Sequence, residues 1–121
     1  MAKIMCVDDH QDIVDTLKLI MEKEGHKTAE ANNGEQFLEK VDAEKPDLVL
    51  LDVMMPGLTT KQILEKLKEK GLDDLKIILV TVVRFSDEEK KALMEGHNIV
   101  DYVTKPFDLP DIVTKVKQHL K

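Results

Sequence analysis

The chain of 121 residues has one cysteine, no tryptophan, and only four aromatic residues, Phe37, Phe85, Tyr102 and Phe107. A lone Cys6 forms no internal disulfide and, without a second thiol, no metal-thiolate cluster, which leaves core packing as its role. So few aromatics supply no stacking platform for single-stranded nucleic acid. Positive charge is also short: 18 Lys and Arg face 24 Asp and Glu, a net charge of −6 that disfavours direct binding of nucleic acid. No apolar run approaches the roughly 18 residues of a membrane span. The first one, Ile4-Met5-Cys6-Val7, meets Asp8 and Asp9 too soon to be the core of a secretory signal. The sequence reads as that of a cytoplasmic protein with no membrane partner. Linkers rich in Pro, Gly or Ser, internal repeats and low-complexity stretches are missing as well.

With 42% apolar and 35% charged residues, the chain has the composition of a soluble globular protein, and its length suits one domain over residues 1–121. Short runs rich in Val, Ile and Leu alternate with longer segments of helical period, the pattern of an α/β protein whose parallel sheet carries helices on both faces. The expected strands are residues 3–7, 27–31, 47–51, 76–80 and 100–103. The first, third and fourth are almost continuously apolar, so they are expected at the centre. The second alternates and the fifth is brief, which puts these two at the edges. Helical stripes are formed by Ile13, Leu17, Ile20 and Met21, by Phe37, Leu38 and Val41, by Ile63, Leu64 and Leu67, and by Ile112, Val113, Val116 and Leu120. Gly25, Gly71 and Gly96 stand where three helices should stop, and Ser86 with Glu89 has the spacing of a capping box. The last helix runs to Lys121, as in a complete stand-alone domain or a piece cut at a domain edge.

In an open parallel sheet, ligands bind beyond the carboxyl ends of the strands. Those ends carry Asp8 and Asp9, Asp52, Thr81, and Lys105 followed by Pro106. Each has an ordinary alternative role: an Asp at a strand end caps a turn or helix, a lone Thr ends a strand, and a lone Lys is a solvated charge. Together they bring three carboxylates, a hydroxyl and an ammonium to one edge. Three carboxylates in one pocket repel, and a divalent cation relieves this. Oxygen-only donors suit a hard ion, Mg²⁺ ahead of Ca²⁺, with Mn²⁺ as a substitute. A carboxylate so placed, with Lys105 and Thr81 beside it, can attack phosphorus and form an aspartyl phosphate. His10, His26, His97 and His119 are isolated in sequence and are expected at the surface, and the Met54-Met55 pair is expected to pack its loop.

Across essentially its whole length the chain resembles the receiver domain of two-component response regulators, the CheY-like, flavodoxin-like (βα)5 fold. The residues that carry the resemblance are Val7-Asp8-Asp9, the run from Leu50 to Gly57, Leu79-Val80-Thr81, and the run from Tyr102 to Phe107. The resemblance implies a five-stranded parallel sheet of order 2-1-3-4-5. It implies Asp52 as phosphoacceptor and Mg²⁺ ligand, Asp9 as a direct Mg²⁺ ligand, Asp8 as a ligand through water, and the Met54 backbone carbonyl as a further ligand. Thr81 and Lys105 would hold phosphoryl oxygens, the Lys105-Pro106 bond would be cis, and Thr81 with Tyr102 would form the switch. A sensor histidine kinase or phosphotransfer protein would donate the phosphoryl group, docking on the first helix near Ile13, Val14 and Leu17. A downstream target, or a second copy of the chain, would meet the face of helix four, strand five and helix five. The domain would be a signalling module and not an enzyme.

The chain departs from the family's usual pattern in two places, and a third position bears on how long a phosphoryl group would last. Val82 is larger than the small residue normally found after the Thr and is expected to crowd the approach to Asp52. Leu58-Thr59-Thr60 replaces the usual Met-Asp-Gly, which is expected to reshape the loop into helix three. Met54, two past the phosphoacceptor, has no group to orient an attacking water, which predicts a long-lived phosphorylated state. Other functions fit less well. A haloacid-dehalogenase-type phosphatase needs an Asp where Met54 stands. A flavin mononucleotide site needs a hydroxyl- or Gly-rich loop where Asp8-Asp9-His10-Gln11-Asp12 stands. The remaining alternative is a receiver-like docking module that is not phosphorylated.

Overall fold

A computed structural model describes residues 2–96 and 98–120. Among these, five strands alternate with five helices: β1 (Lys3–Val7), α1 (Gln11–Lys23), β2 (Lys27–Ala31), α2 (Gly34–Glu44), β3 (Leu48–Leu51), α3 (Thr60–Glu69), β4 (Lys76–Thr81), α4 (Asp87–Met94), β5 (Ile99–Thr104) and α5 (Leu109–His119). The strands pair in parallel as one sheet of order β2-β1-β3-β4-β5, so the chain has the flavodoxin-like fold. None of the helices is long and apolar enough to cross a membrane.

The apolar runs explain the order. Every residue of β3, Leu48-Val49-Leu50-Leu51, is fully buried, because helices cover both faces of the sheet centre. Alternate side chains feed two separate cores. On one side Met5, Val7, Val49, Leu51, Ile77 and Leu79 meet Phe37 and Val41 of α2 and Ile63 and Leu67 of α3. On the other, Ile4, Cys6, Leu48, Leu50, Ile78 and Val80 meet Val14, Leu17 and Met21 of α1 and Ile112 and Val116 of α5. Helix α4 contributes no fully buried residue and leans on the first core through the half-buried Leu93.

β5 is longer than its apolar run suggests. Ile77 pairs with Ile99 but Ile78 pairs with Asp101, so Val100 is an extra residue in the ladder. The bulge puts Val100 against the α1/α5 core and Tyr102 against the other. The expected helix stops at Gly25 and Gly71 have φ of +89° and +76°. Gly96 does not adopt that conformation; α4 ends at Met94, and Glu95 stays right-handed. α2 stops without a glycine, at Lys45 with φ +47° before Pro46. Ser86 and Glu89 do form a capping box, and so do Thr59 and Gln62 at the start of α3, in the loop where the sequence departs from the usual pattern. At the head of α2, Gly34 lies so close to α3 that a Cβ there would sit 2.7 Å from Ile63 Cδ1.

Candidate functional site

Backbone pairing carries the polar residues to one place. Val7 lies opposite both Ala31 and Leu51, so Asp8 and Asp52 leave neighbouring strands at the same height. The ladder continues one step further: the Asp52 N–H donates to the Val7 carbonyl (3.0 Å), the Asp8 N–H to Ala31 (3.2 Å), and the Lys105 N–H to Thr81 (2.8 Å). These residues are therefore fixed by the sheet as well as by their loops. The Lys105-Pro106 peptide is cis.

Lys105 Nζ donates to Asp8 Oδ2 at 2.6 Å and to Asp52 Oδ2 at 3.3 Å, and both carboxylates are almost wholly buried. The other Asp52 oxygen accepts the Met54 N–H at 3.0 Å. The other Asp8 oxygen accepts the His10 N–H at 2.9 Å. Burial alone would raise the Asp8 carboxyl, but the Lys105 ammonium and the His10 N–H outweigh it and hold the group below the ordinary carboxylate range. Asp9 is more open to solvent and faces the imidazole of His10, whose Nδ1 is 3.1 Å from its carboxylate. Thr81 is buried, and its hydroxyl accepts the Val83 N–H at 3.2 Å. Tyr102 is half-buried, with Lys90 Nζ 4.6 Å and Lys115 Nζ 5.5 Å from its ring centroid.

Asp8, Asp9, Asp52 and Lys105 thus come together, with Thr81 on the adjacent strand end. His10 was not expected there. It is the last of only three residues joining β1 to α1, and that short link was the signal available in the sequence. Asn32 is a second participant that sequence reasoning missed: its amide donates to the Asp8 carbonyl (3.3 Å) and to Gln11 Oε1 (3.0 Å), tying the β2–α2 loop to the acidic loop. His119 is not isolated either, since its Nε2 lies 3.0 Å from Asp101 Oδ2, and His26 Nδ1 accepts the Ala2 N–H. His97 lies outside the described residues. Met55 packs on the first core as expected, whereas Met54 is 58% exposed. Val82 is equally exposed, at the rim beside Thr81.

The expected docking face on the first helix is corrected by the packing. Val14 and Leu17 are fully buried under α1, because the stripe they belong to is the one that seats the helix on the sheet. The exposed side of α1 is the opposite one, with Asp12, Asp15, Thr16 and Leu19.

The donor set fits a divalent cation. Asp8, Asp9, His10 and Asp52 each offer one ligand atom, all within 4.8 Å of one another. One ammonium cannot balance three carboxylates, so the cluster keeps an excess of negative charge for a cation to neutralise.

Residues 4–117 match the family model described as the response regulator receiver domain. The chain is 37% identical over 120 residues to the alkaline phosphatase synthesis transcriptional regulatory protein PhoP of Bacillus subtilis (strain 168). That match takes in 98% of this chain and 48% of PhoP, so the chain spans about half the length of this relative. Among solved structures, the response regulator protein TrrA from Thermotoga maritima, in complex with Mg²⁺-BeF, is 32% identical with a TM-score of 0.83, covering 98% of this chain and 99% of TrrA. The Vibrio cholerae chemotaxis protein CheY4 has a TM-score of 0.86 at 22% identity, covering 98% of each chain, and shares the fold.

Proposed function

The chain belongs to the response regulator receiver domain family, a family of signalling modules, and from that premise we propose that it accepts a phosphoryl group on Asp52 and passes the signal on by contact. The observation that carries this reading is the bridge from Lys105 to both Asp8 and Asp52 at the sheet edge. A Lys placed there can follow negative charge as it moves from a carboxylate to a phosphoryl oxygen.

Asp52 Oδ2 or Oδ1 attacks the phosphorus of a phosphohistidine or a small phosphodonor, and the bond from phosphorus to the donor breaks with its electron pair leaving on the donor. Asp8, Asp9, Asp52 and the Met54 carbonyl are the groups that would hold Mg²⁺, and the Mg²⁺-BeF complex of TrrA supports that ion. When bound, the ion supplies positive charge that neutralises the carboxylates and the phosphoryl oxygens. Lys105 keeps its ammonium beside Asp52 and is available to a phosphoryl oxygen. Thr81 exchanges its hydrogen bond with Val83 for donation to that oxygen, a charge-assisted bond about twice as strong as a neutral one. Movement of Thr81 frees space for Tyr102, which leaves the two lysines and turns inward. The face of α4, β5 and α5 then presents a different surface to a target or to a second copy.

A sensor histidine kinase or phosphotransfer protein is the natural donor. Mn²⁺ would substitute for Mg²⁺. Met54 offers no hydrogen-bonding side chain near Asp52, which favours slow loss of the phosphoryl group.

Intact mass after incubation with acetyl phosphate, with and without Mg²⁺, tests the reading. We expect a Mg²⁺-dependent gain of one phosphoryl group that is absent in Asp52→Asn. No gain by a folded protein would overturn it and leave a docking module that is not phosphorylated.

A further inference from the structure

We propose that His10 is a nitrogen ligand to the divalent cation of this site, and that it shifts the site's preference from Mg²⁺ toward first-row transition ions such as Mn²⁺ and Co²⁺. The inference rests on the reading of Asp8, Asp9 and Asp52 as cation ligands.

His10 occupies the N-cap of α1, where Ser, Thr, Asp or Asn would normally accept a helix N–H. Its ring makes no such cap. It turns instead to the acidic pair, with Nδ1 3.2 Å from Asp8 Oδ1 and 3.1 Å from Asp9 Oδ1. Two adjacent donors at about 2.1 Å from a six-coordinate ion lie about 3.0 Å apart, so Nδ1 already stands at coordination-shell spacing from each of the two carboxylate oxygens.

The two basic side chains divide Asp8 between them. Lys105 takes Oδ2 from the buried side and His10 takes Oδ1 from the open side. A protonated Lys has no lone pair to give a metal, whereas a neutral imidazole has one. The ring is also 68% exposed, so packing does not hold it and it can move the few tenths of an ångström that ligation asks.

An imidazole added to carboxylates changes which ions bind well. Mg²⁺ gains little from exchanging a water for a nitrogen, while Co²⁺ and its neighbours gain substantially. The alternative role is a hydrogen-bonded clamp that orients the carboxylates, and it would affect all cations alike.

The test uses the full chain with each metal alone and no phosphodonor, comparing the native sequence with His10→Asn, a residue that suits an N-cap. Pulsed electron paramagnetic resonance on the Mn²⁺-loaded protein reads the nitrogen coupling of a directly bound imidazole. Calorimetric titration reads Co²⁺ and Mg²⁺ affinities. We expect a nitrogen coupling in the native protein that His10→Asn removes, with Co²⁺ binding weakened about tenfold or more and Mg²⁺ less than about threefold. Mn²⁺ bound with no nitrogen coupling would overturn the proposal, as would equal weakening of Co²⁺ and Mg²⁺. If no divalent ion binds at all, the underlying cation reading fails with it. That result is distinct, because the Mn²⁺ signal is then entirely that of the free ion.

Discussion

The Lys105 ammonium and the Asp8 carboxylate, 97 positions apart in sequence, are 2.6 Å apart in space, closer than Lys105 is to Asp52. Of the two carboxylates, Lys105 therefore neutralises Asp8 first. Asp8 titrates below its ordinary range when folded, so its contribution to stability is present above the unfolded carboxylate pKa of about 3.9 and is lost as the pH falls through the lower folded value. Replacing Lys105 by Met strands two buried carboxylates. Without divalent ions, we expect Lys105→Met to lose about 3 kcal/mol at pH 7 and progressively less below about pH 4. Urea unfolding at both pH values measures this, and a constant loss would contradict it.

Among the described residues no ammonium lies within salt-bridge distance of Asp9, which sits among like charges. Removing its charge should relieve repulsion in the metal-free protein. Asp9→Asn is expected to raise stability by about 1 kcal/mol without divalent ions and to abolish the stabilisation that Mg²⁺ gives. Thermal melts with and without Mg²⁺ check both halves of the prediction.

Burial pushes the Cys6 thiol up to about 12. A thiol raised on folding stabilises the fold below its unfolded pKa, and this contribution is lost as the pH rises from about 9 toward about 12. At pH 8, Cys6 should react with a disulfide reagent at least about 100-fold more slowly in the native protein than in denaturant. Comparable rates in the two states would contradict the packing described for β1.

Gly34→Ala should cost about 1–3 kcal/mol although Ala is the better helix former, because the new Cβ meets Ile63 Cδ1 at 2.7 Å. Ile63→Val removes that methyl. The double variant should therefore lose less than the sum of the two single changes, which a denaturation cycle measures directly.

The central strands were legible because burial on both faces demands unbroken apolar runs, as in Leu48-Val49-Leu50-Leu51. The carboxyl-edge residues were legible because position at a strand end is enough to gather them. What escaped depended on where a side chain turns. Periodicity cannot say that the His10 ring faces Asp8 and Asp9 rather than solvent, since a histidine at an N-cap has no fixed preference. The same stripe of α1 that marks a helix cannot be free for a partner, which is why Val14 and Leu17 proved to be core. The two residues of β5 that escaped were its ends, Ile99 and Thr104: the extra residue Val100 breaks the alternation that would have joined Ile99 to the run.

That extra residue has a further consequence. Strand β5 is counted from Ile99, and the count decides which side of the protein hears which residue. With Val100 present, Asp101 looks toward His119 of α5 and Tyr102 toward Lys90 of α4. Were Val100 instead taken into the ladder opposite Ile78, every later residue of the strand would turn over: the aromatic would address α5 and the acid α4. The protein could keep its strands, its acidic edge and its chemistry, and still deliver the message to the wrong address.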